Sequence, residues 1–276
     1  MKNIITVLGF FFVFSLVTYA QTNIGVQLYS FRKQFTTDVP GTLEKISEMG
    51  IREIEGGSTY GMKTDEFKLL LLKDKLTLIS SGADYKELET NPQAVVANAK
   101  EWGAKYVMCA WIPHNGNDFT IDDANKAIAV FNKAGKILKE NGISLCYHMH
   151  GYEFRPYKNE TLFDYMVEQL NPAYVNFEMD VFWVKHPGQE PVALLNKYPK
   201  RFPLMHLKDR KPGTVGNQNG NADDATNVVL GTGDVGIAAI MKVAKKQGVK
   251  YFFIEDESSV SMEQVPLSLK YLKGLK

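Results

Sequence analysis

The stretch Leu145-Cys146-Tyr147-His148-Met149-His150-Gly151-Tyr152-Glu153-Phe154 places two histidines two residues apart at the end of an apolar run, with a carboxylate three residues further on. Read as a strand, its side chains alternate faces, so Cys146, His148 and His150 share one side. Three later β-rich runs carry a metal-capable group at or near their ends. These are Asp180 closing 174–180, His206 near the end of 202–207 and Glu255 closing 251–255. Four such runs in succession describe a ring of strand ends converging on one ion.

Outward from this stretch, one unit recurs: an amphipathic segment, a glycine, then a short β-rich run. Gly50 precedes 51–55, Gly103 precedes 106–111, Gly142 precedes 143–148 and Gly248 precedes 249–255. A glycine after a helix supplies the left-handed cap that ends it and lets the chain turn into a strand. Strands are expected near 24–29, 51–55, 76–81, 105–111, 143–148, 174–180, 203–208 and 250–256. Helices are expected near 39–49, 64–74, 92–102, 121–139, 160–169, 190–197, 235–247 and 264–274. Eight alternating pairs give a single α/β domain, the (β/α)8 TIM barrel, whose chemistry sits at the C-terminal strand ends. The competing open doubly wound sheet lacks its signal, since no G-x-G-x-x-G follows the first strand. The longest irregular stretch, 209–230, follows the seventh strand and so lies on the active face. It is expected to form a rim or lid there, with a turn-rich insertion as the alternative.

Bulk composition narrows the function classes. With 32 basic and 31 acidic residues, a formal charge of +1 gives no electrostatic case for nucleic acid or a membrane surface. Cys109 and Cys146 each lie inside an apolar run, which favours buried free thiols over a disulfide framework. Lys2, the apolar run 4–17 and Thr18-Tyr19-Ala20 read as a signal peptide, 1–20, cut after Ala20. The expected mature domain is then 21–276, exported and either periplasmic or secreted. An uncleaved membrane anchor is the alternative, with a run short for a span.

The polar groups at strand ends carry the chemistry. Asp180 closes its strand, with the bland alternative of a helix-capping aspartate, and Glu178 shares its face one layer lower. His206 is followed on the same face by Lys208, with Asp209 beside it. Three polar groups ending a buried strand are costly unless they meet a charged ligand or each other. Glu255 ends four apolar residues. Gln27 in the first strand and Glu55 in the second are candidates to hydrogen-bond substrate hydroxyls, and Trp111 and Trp183 offer flat walls for a sugar. Imidazoles and carboxylates in this mixture suit a divalent ion, with manganese, zinc, cobalt, iron and magnesium all compatible.

The pieces Tyr147-His148-Met149-His150-x-x-Glu153-Phe154, Asp180-x-x-Trp183, His206-x-Lys208-Asp209, Leu230-Gly231-x-Gly233 and Ile254-Glu255 resemble the xylose isomerase-like TIM-barrel superfamily. That group comprises sugar isomerases and epimerases together with endonuclease IV. In the first half, only Gln27-Leu28-Tyr29-Ser30 and Glu55 match. The resemblance implies a divalent ion held by Asp180, His206, Glu255 and a strand-five group. That group is either His148 or Glu153 reaching back from the loop. It also implies proton transfer by Glu153 and Glu255, with His150 and Lys208 as further catalytic candidates. The YHxHxxEF variant resembles exported bacterial members acting on 3-keto glycosides. The implied reaction removes a proton beside a sugar carbonyl through a metal-stabilised enediolate, giving isomerisation, epimerisation or elimination. Two alternatives remain: a non-catalytic sugar-binding barrel of the cell envelope, and an endonuclease IV-like phosphodiesterase. The latter uses a three-zinc, histidine-rich cluster, whereas this chain has five histidines and no basic face.

Overall fold

The computed structural model describes residues 23–275, and the expected signal peptide, 1–20, lies outside them. Eight parallel strands close into a barrel in sequential order. They are β1 (Asn23–Gln27), β2 (Glu53–Gly56), β3 (Thr77–Gly82), β4 (Tyr106–Cys109), β5 (Ser144–His148), β6 (Val175–Asp180), β7 (Leu204–Leu207) and β8 (Tyr251–Ile254), with β8 paired back to β1. The outer ring is α1 (Val39–Glu48), α2 (Thr64–Lys73), α3 (Pro92–Trp102), α4 (Ile121–Glu140), α5 (Leu162–Gln169), α6 (Pro191–Lys197), α7 (Ile237–Gln247) and α8 (Ser261–Gly274). This is the (β/α)8 barrel expected from the repeat. Its punctuation is also as read: Gly103 (φ 68°) and Gly248 (φ 82°) cap α3 and α7 in the left-handed region.

Alternation along the strands sorts side chains into two cores. Large apolar groups face the helices, while Ile79, Cys146, Leu204 and Phe253 meet in a small separate cluster inside the barrel. Gly25 makes room for that plug, because a Cβ there would stand 2.4 Å from the Glu53 carbonyl oxygen and 2.9 Å from the Phe253 ring. Both cysteines are buried free thiols. Burial pushes Cys109 up to about 12 and Cys146 well above the usual thiol range. No helix among the described residues is long and apolar enough to cross a membrane.

Some connections differ from the expected pattern. A helix over Tyr85–Thr90 follows β3, and a short one over Val181–Lys185 starts directly after Asp180. The stretch after β7 is a strap fastened along both flanks. Asp209–Arg210 pairs with Asn227–Val228, Arg210 forks onto Asp234 at 2.9 and 3.0 Å, and Arg32 holds Asp224 at 2.7 Å. Further along, Asn217 meets His186 at 3.0 Å and Gln218 donates to the Phe154 carbonyl at 3.2 Å.

Asp209, expected as a polar neighbour of Lys208 at the strand end, turns to the opposite side. Its carboxylate accepts the backbone N–H groups of Arg210, Gly231, Gly233 and Val235 at 2.8–3.1 Å. Gly233 must be glycine for this to happen, since a Cβ would lie 2.2 Å from Asp209 Oδ1. Asp209 and the Leu230-Gly231-x-Gly233 piece are one turn-building device.

Candidate metal centre

Strands β5 to β8 deliver their inward polar side chains to one point at the C-terminal mouth. His148 ends β5, Glu178 and Asp180 stand on successive inward positions of β6, and His206 and Lys208 come from β7 and the residue after it. Glu255 follows β8. Register explains the convergence: Asp180 is paired with His206 and His148 with Glu178 across neighbouring strands. The ligand-capable atoms of His148, Glu178 and His206 lie within 4.8 Å of one another, as do those of Asp180, His206 and Glu255. Individual approaches are His148 Nδ1 to Glu178 at 3.4 Å, His148 Nε2 to Asp180 Oδ2 at 3.9 Å and His206 Nδ1 to Glu255 at 3.3 Å. His206 therefore belongs to both groups and links them.

Asp180 combines the two roles that position alone allowed. One oxygen caps the Val181–Lys185 helix by accepting from Phe182 N at 2.7 Å and Trp183 N at 3.1 Å. The other, Oδ2, is buried without a hydrogen-bond partner. The same holds for both oxygens of Glu178, for Glu55 Oε2 and for Nδ1 of His148 and His206. Orphaned acceptors of this kind are expensive unless a cation meets them. Four buried carboxylates (Glu55, Glu178, Asp180 and Glu255) face one buried lysine, Lys208, and the histidines. The donor set and its charge imbalance fit a divalent ion of mixed nitrogen and oxygen preference.

The titration behaviour reflects this crowding. Burial, and after it the Glu55 carboxylate, holds Glu178 well above the carboxylate range. Burial likewise pushes Asp180 up to about 7. Burial also acts to raise Glu255, but Lys208 and His206 outweigh it and keep that group well down. Burial lowers His148 far below the imidazole range and His150 to about 4. His206 goes the other way, because Glu178, Glu255 and Glu55 overcome its desolvation.

The remaining expected residues divide. Gln27 and Glu55 join the cluster at its edge: Gln27 Nε2 donates to Glu55 Oε1 at 2.8 Å, and the same oxygen meets His206 Nε2 at 2.5 Å. Lys208 lies 3.5 Å from Glu255, also contacts Glu257, and sits over the Trp183 ring at 5.4 Å. His150 stands between two indoles, 5.5 Å from Trp111 and 5.4 Å from Trp183 by ring centroids. Glu153 does not reach back. Its carboxylate accepts from the Tyr147 hydroxyl and from His150 N at 3.1 Å, and Tyr147 faces the helix layer against Phe131. Strand alternation sends Tyr147 outward where His148 goes inward, and Glu153 follows Tyr147. In this geometry His148, and not Glu153, occupies the strand-five place, and Glu153 stands in neither ligand group. Glu178 enters a group that the sequence-based ligand set left out, although its shared face with Asp180 was readable from alternation.

The centre opens into a cleft of ≈ 1210 Å³ to which His148, His150, Trp183, His206 and Glu255 all contribute. Comparison with known proteins places this architecture. Inosose dehydratase 1 of Bacillus cereus is 24% identical over 250 residues, spanning 80% of this chain and 82% of that protein. A sugar phosphate isomerase/epimerase from Parabacteroides distasonis ATCC 8503 shares the fold at a TM-score of 0.77 and 24% identity, covering 93% of this chain and 100% of the other. The IolI protein with a bound zinc atom does so at 0.72 and 14%, covering 92% and 98%. A family model described as the xylose isomerase-like TIM barrel matches residues 43–275. With strand order, cluster and matched span in agreement, the chain belongs to the xylose isomerase-like TIM-barrel family.

Proposed function

We propose that this chain is a divalent-metal-dependent enzyme that removes a proton beside a sugar carbonyl. Return of the proton to the neighbouring carbon gives an isomerase, and to the opposite face of the same carbon an epimerase; loss of a glycosidic oxygen from a 3-keto glycoside gives a lyase. The observation that carries the reading is the convergence of His148, Glu178, Asp180, His206 and Glu255, the first four with unpartnered buried atoms, on the floor of one cleft. A dehydratase, an isomerase/epimerase and a zinc-bound protein among the similar proteins support the same chemistry.

A bound divalent cation supplies charge compensation for the carboxylates and polarises a carbonyl and its neighbouring hydroxyl. The protein's own groups do the rest. His150 lies outside both ligand groups, faces the cleft and has an unpartnered Nδ1. That placement, an imidazole nitrogen facing the cleft beside the cluster, is what makes it the candidate to take a proton from carbon. Lys208, buried against Glu255 and Glu257, keeps positive charge where the departing proton leaves negative charge behind. Gln27 lines the cleft and is placed to bond a sugar hydroxyl, with Glu55 buried behind it as its partner, and Trp111 and Trp183 wall the ring and limit water. In elimination, the C–H pair becomes the new double bond while the glycosidic C–O pair leaves with oxygen, which then takes up a proton. The signal-like residues 1–20 underlie the further proposal that this happens after export, in the periplasm or outside the cell.

The test is elemental analysis of protein recovered outside the cytoplasm, whose first residue is expected to be Gln21. It is paired with proton–deuterium exchange on ketoses and 3-keto glycosides. Bound divalent metal with exchange at the carbon beside the carbonyl is expected. Exchange that survives metal removal would overturn the proposal, and bound sugar without exchange would favour the non-catalytic sugar-binding barrel.

A further inference from the structure

The mouth of the barrel is lopsided. Strands β5 to β8 end in the ligand cluster, whereas β2, β3 and β4 end in Gly56-Gly57, Gly82-Ala83 and Cys109-Ala110, all on the wall of the same cleft. Beyond Glu55, which turns into the cluster, the strand-end residues of that half are small, and the backbones close up on one another. A Cβ on Gly57 would stand 3.2 Å from Gly82 Cα. The cleft therefore runs on past the cluster as a trough, and ≈ 1210 Å³ exceeds the ~300–1,000 Å³ of a pocket shaped around one small ligand.

The trough is furnished for a second ring. Trp111, stacked on His114, and Tyr29, under Arg32, line it while remaining 40% and 51% exposed, so part of each ring is left for a ligand to cover. Trp111 also borders His150, which makes the wall continuous with the cluster. Exposed polar groups at the far edge, Asp84, Glu87 and Asn98, can accept from or donate to hydroxyls. Apolar faces beside carboxylates and an amide match a pyranose, which has a C–H face and an equatorial rim of hydroxyls.

We propose that the trough over β2 to β4 is a second saccharide subsite, so that the ligand is a disaccharide or larger glycoside with one ring at the cluster and the next against Trp111. This rests on the sugar reading of the cluster given above and deepens it.

The test is equilibrium binding by calorimetry to the metal-loaded protein. Each of cellobiose, maltose, lactose, sucrose and trehalose is compared with the methyl glycoside of its reacting ring, and no turnover is needed. At least one disaccharide is expected to bind tenfold or more tightly than its methyl glycoside. Ala94 lies on the exposed face of α3 and lines the trough without touching the cluster, so Ala94→Trp fills the subsite without disturbing the core. The variant is expected to lose the tenfold gain and keep the methyl glycoside affinity; Asn98→Trp serves as a second plug. Equal binding of every pair by the unaltered protein, or a gain that survives both plugs, overturns the subsite alone. Failure of every sugar to bind, the 3-keto derivatives of the same panel included, overturns the sugar reading with it.

Discussion

Asp180 offers a direct way to ask whether the cluster is built for a cation. Without one, its carboxylate is a liability: burial moves it from an ordinary 3.8 to about 7. At about 1.36 kcal/mol per pKa unit, that is a ceiling of ~4 kcal/mol against the folded state once the group is ionised. The sign follows from linkage. The native state binds the proton more tightly than the unfolded chain, so metal-free stability falls as pH rises from about 4 and levels off above about 7. Asp180→Asn keeps an oxygen for the Phe182 and Trp183 N–H groups and removes the charge. Because Glu178 and Glu255 share the crowding, about half the ceiling, ~2 kcal/mol, is expected. That raises the melting midpoint of the metal-free variant by roughly 4–8 °C at about pH 8, with the gap closing at about pH 4. Saturating divalent metal should reverse the order, since only the unaltered protein gains binding free energy. Thermal scans at both pH values, with chelator and with metal, read every arm of the comparison. A metal-free Asp180→Asn variant that melts below the unaltered protein at the higher pH would refute the reasoning, as would full metal retention by the variant.

Two further outcomes follow from the same geometry. Asp180 is pushed up to about 7 by burial, and Glu178 and His206 are held well up, so metal binding at about pH 6 should release at least one proton and tighten as pH rises; calorimetry in two buffers of different ionisation heat reads the release, and none detected would count against these residues as ligands. Asp209→Ala strips four backbone N–H groups of their acceptor and should cost on the order of 3 kcal/mol, or ~6–12 °C, while metal content per folded molecule stays unchanged; an unchanged midpoint would remove Asp209 from its turn-building role.

The barrel was legible because its signals are local. A glycine cap followed by a β-rich run is written in a handful of consecutive residues, and repetition supplied the count. The strand-end positions of Asp180, His206 and Glu255 were legible for the same reason. What resisted reading was direction after a strand ends. Gly151 at φ 92° turns the chain after β5, and only the three-dimensional path puts Glu153 behind the strand with Tyr147 instead of beside His148. Asp209 escaped for a similar reason, because its partners Gly231, Gly233 and Val235 lie far along the chain. Cap and ligand are not rival readings of Asp180, since a carboxylate has two oxygens and each takes one part.

Beneath the cluster, Ile79, Cys146, Leu204 and Phe253 leave no polar handhold, so the centre is a chamber with one door. Traffic of ions, sugars and chelators has to come through the cleft at the C-terminal mouth and cannot percolate through from the opposite end. The dry stopper thus makes the cleft above it, with Arg32 and Asp224 on its wall, the one approach by which ion and ligand reach the same place.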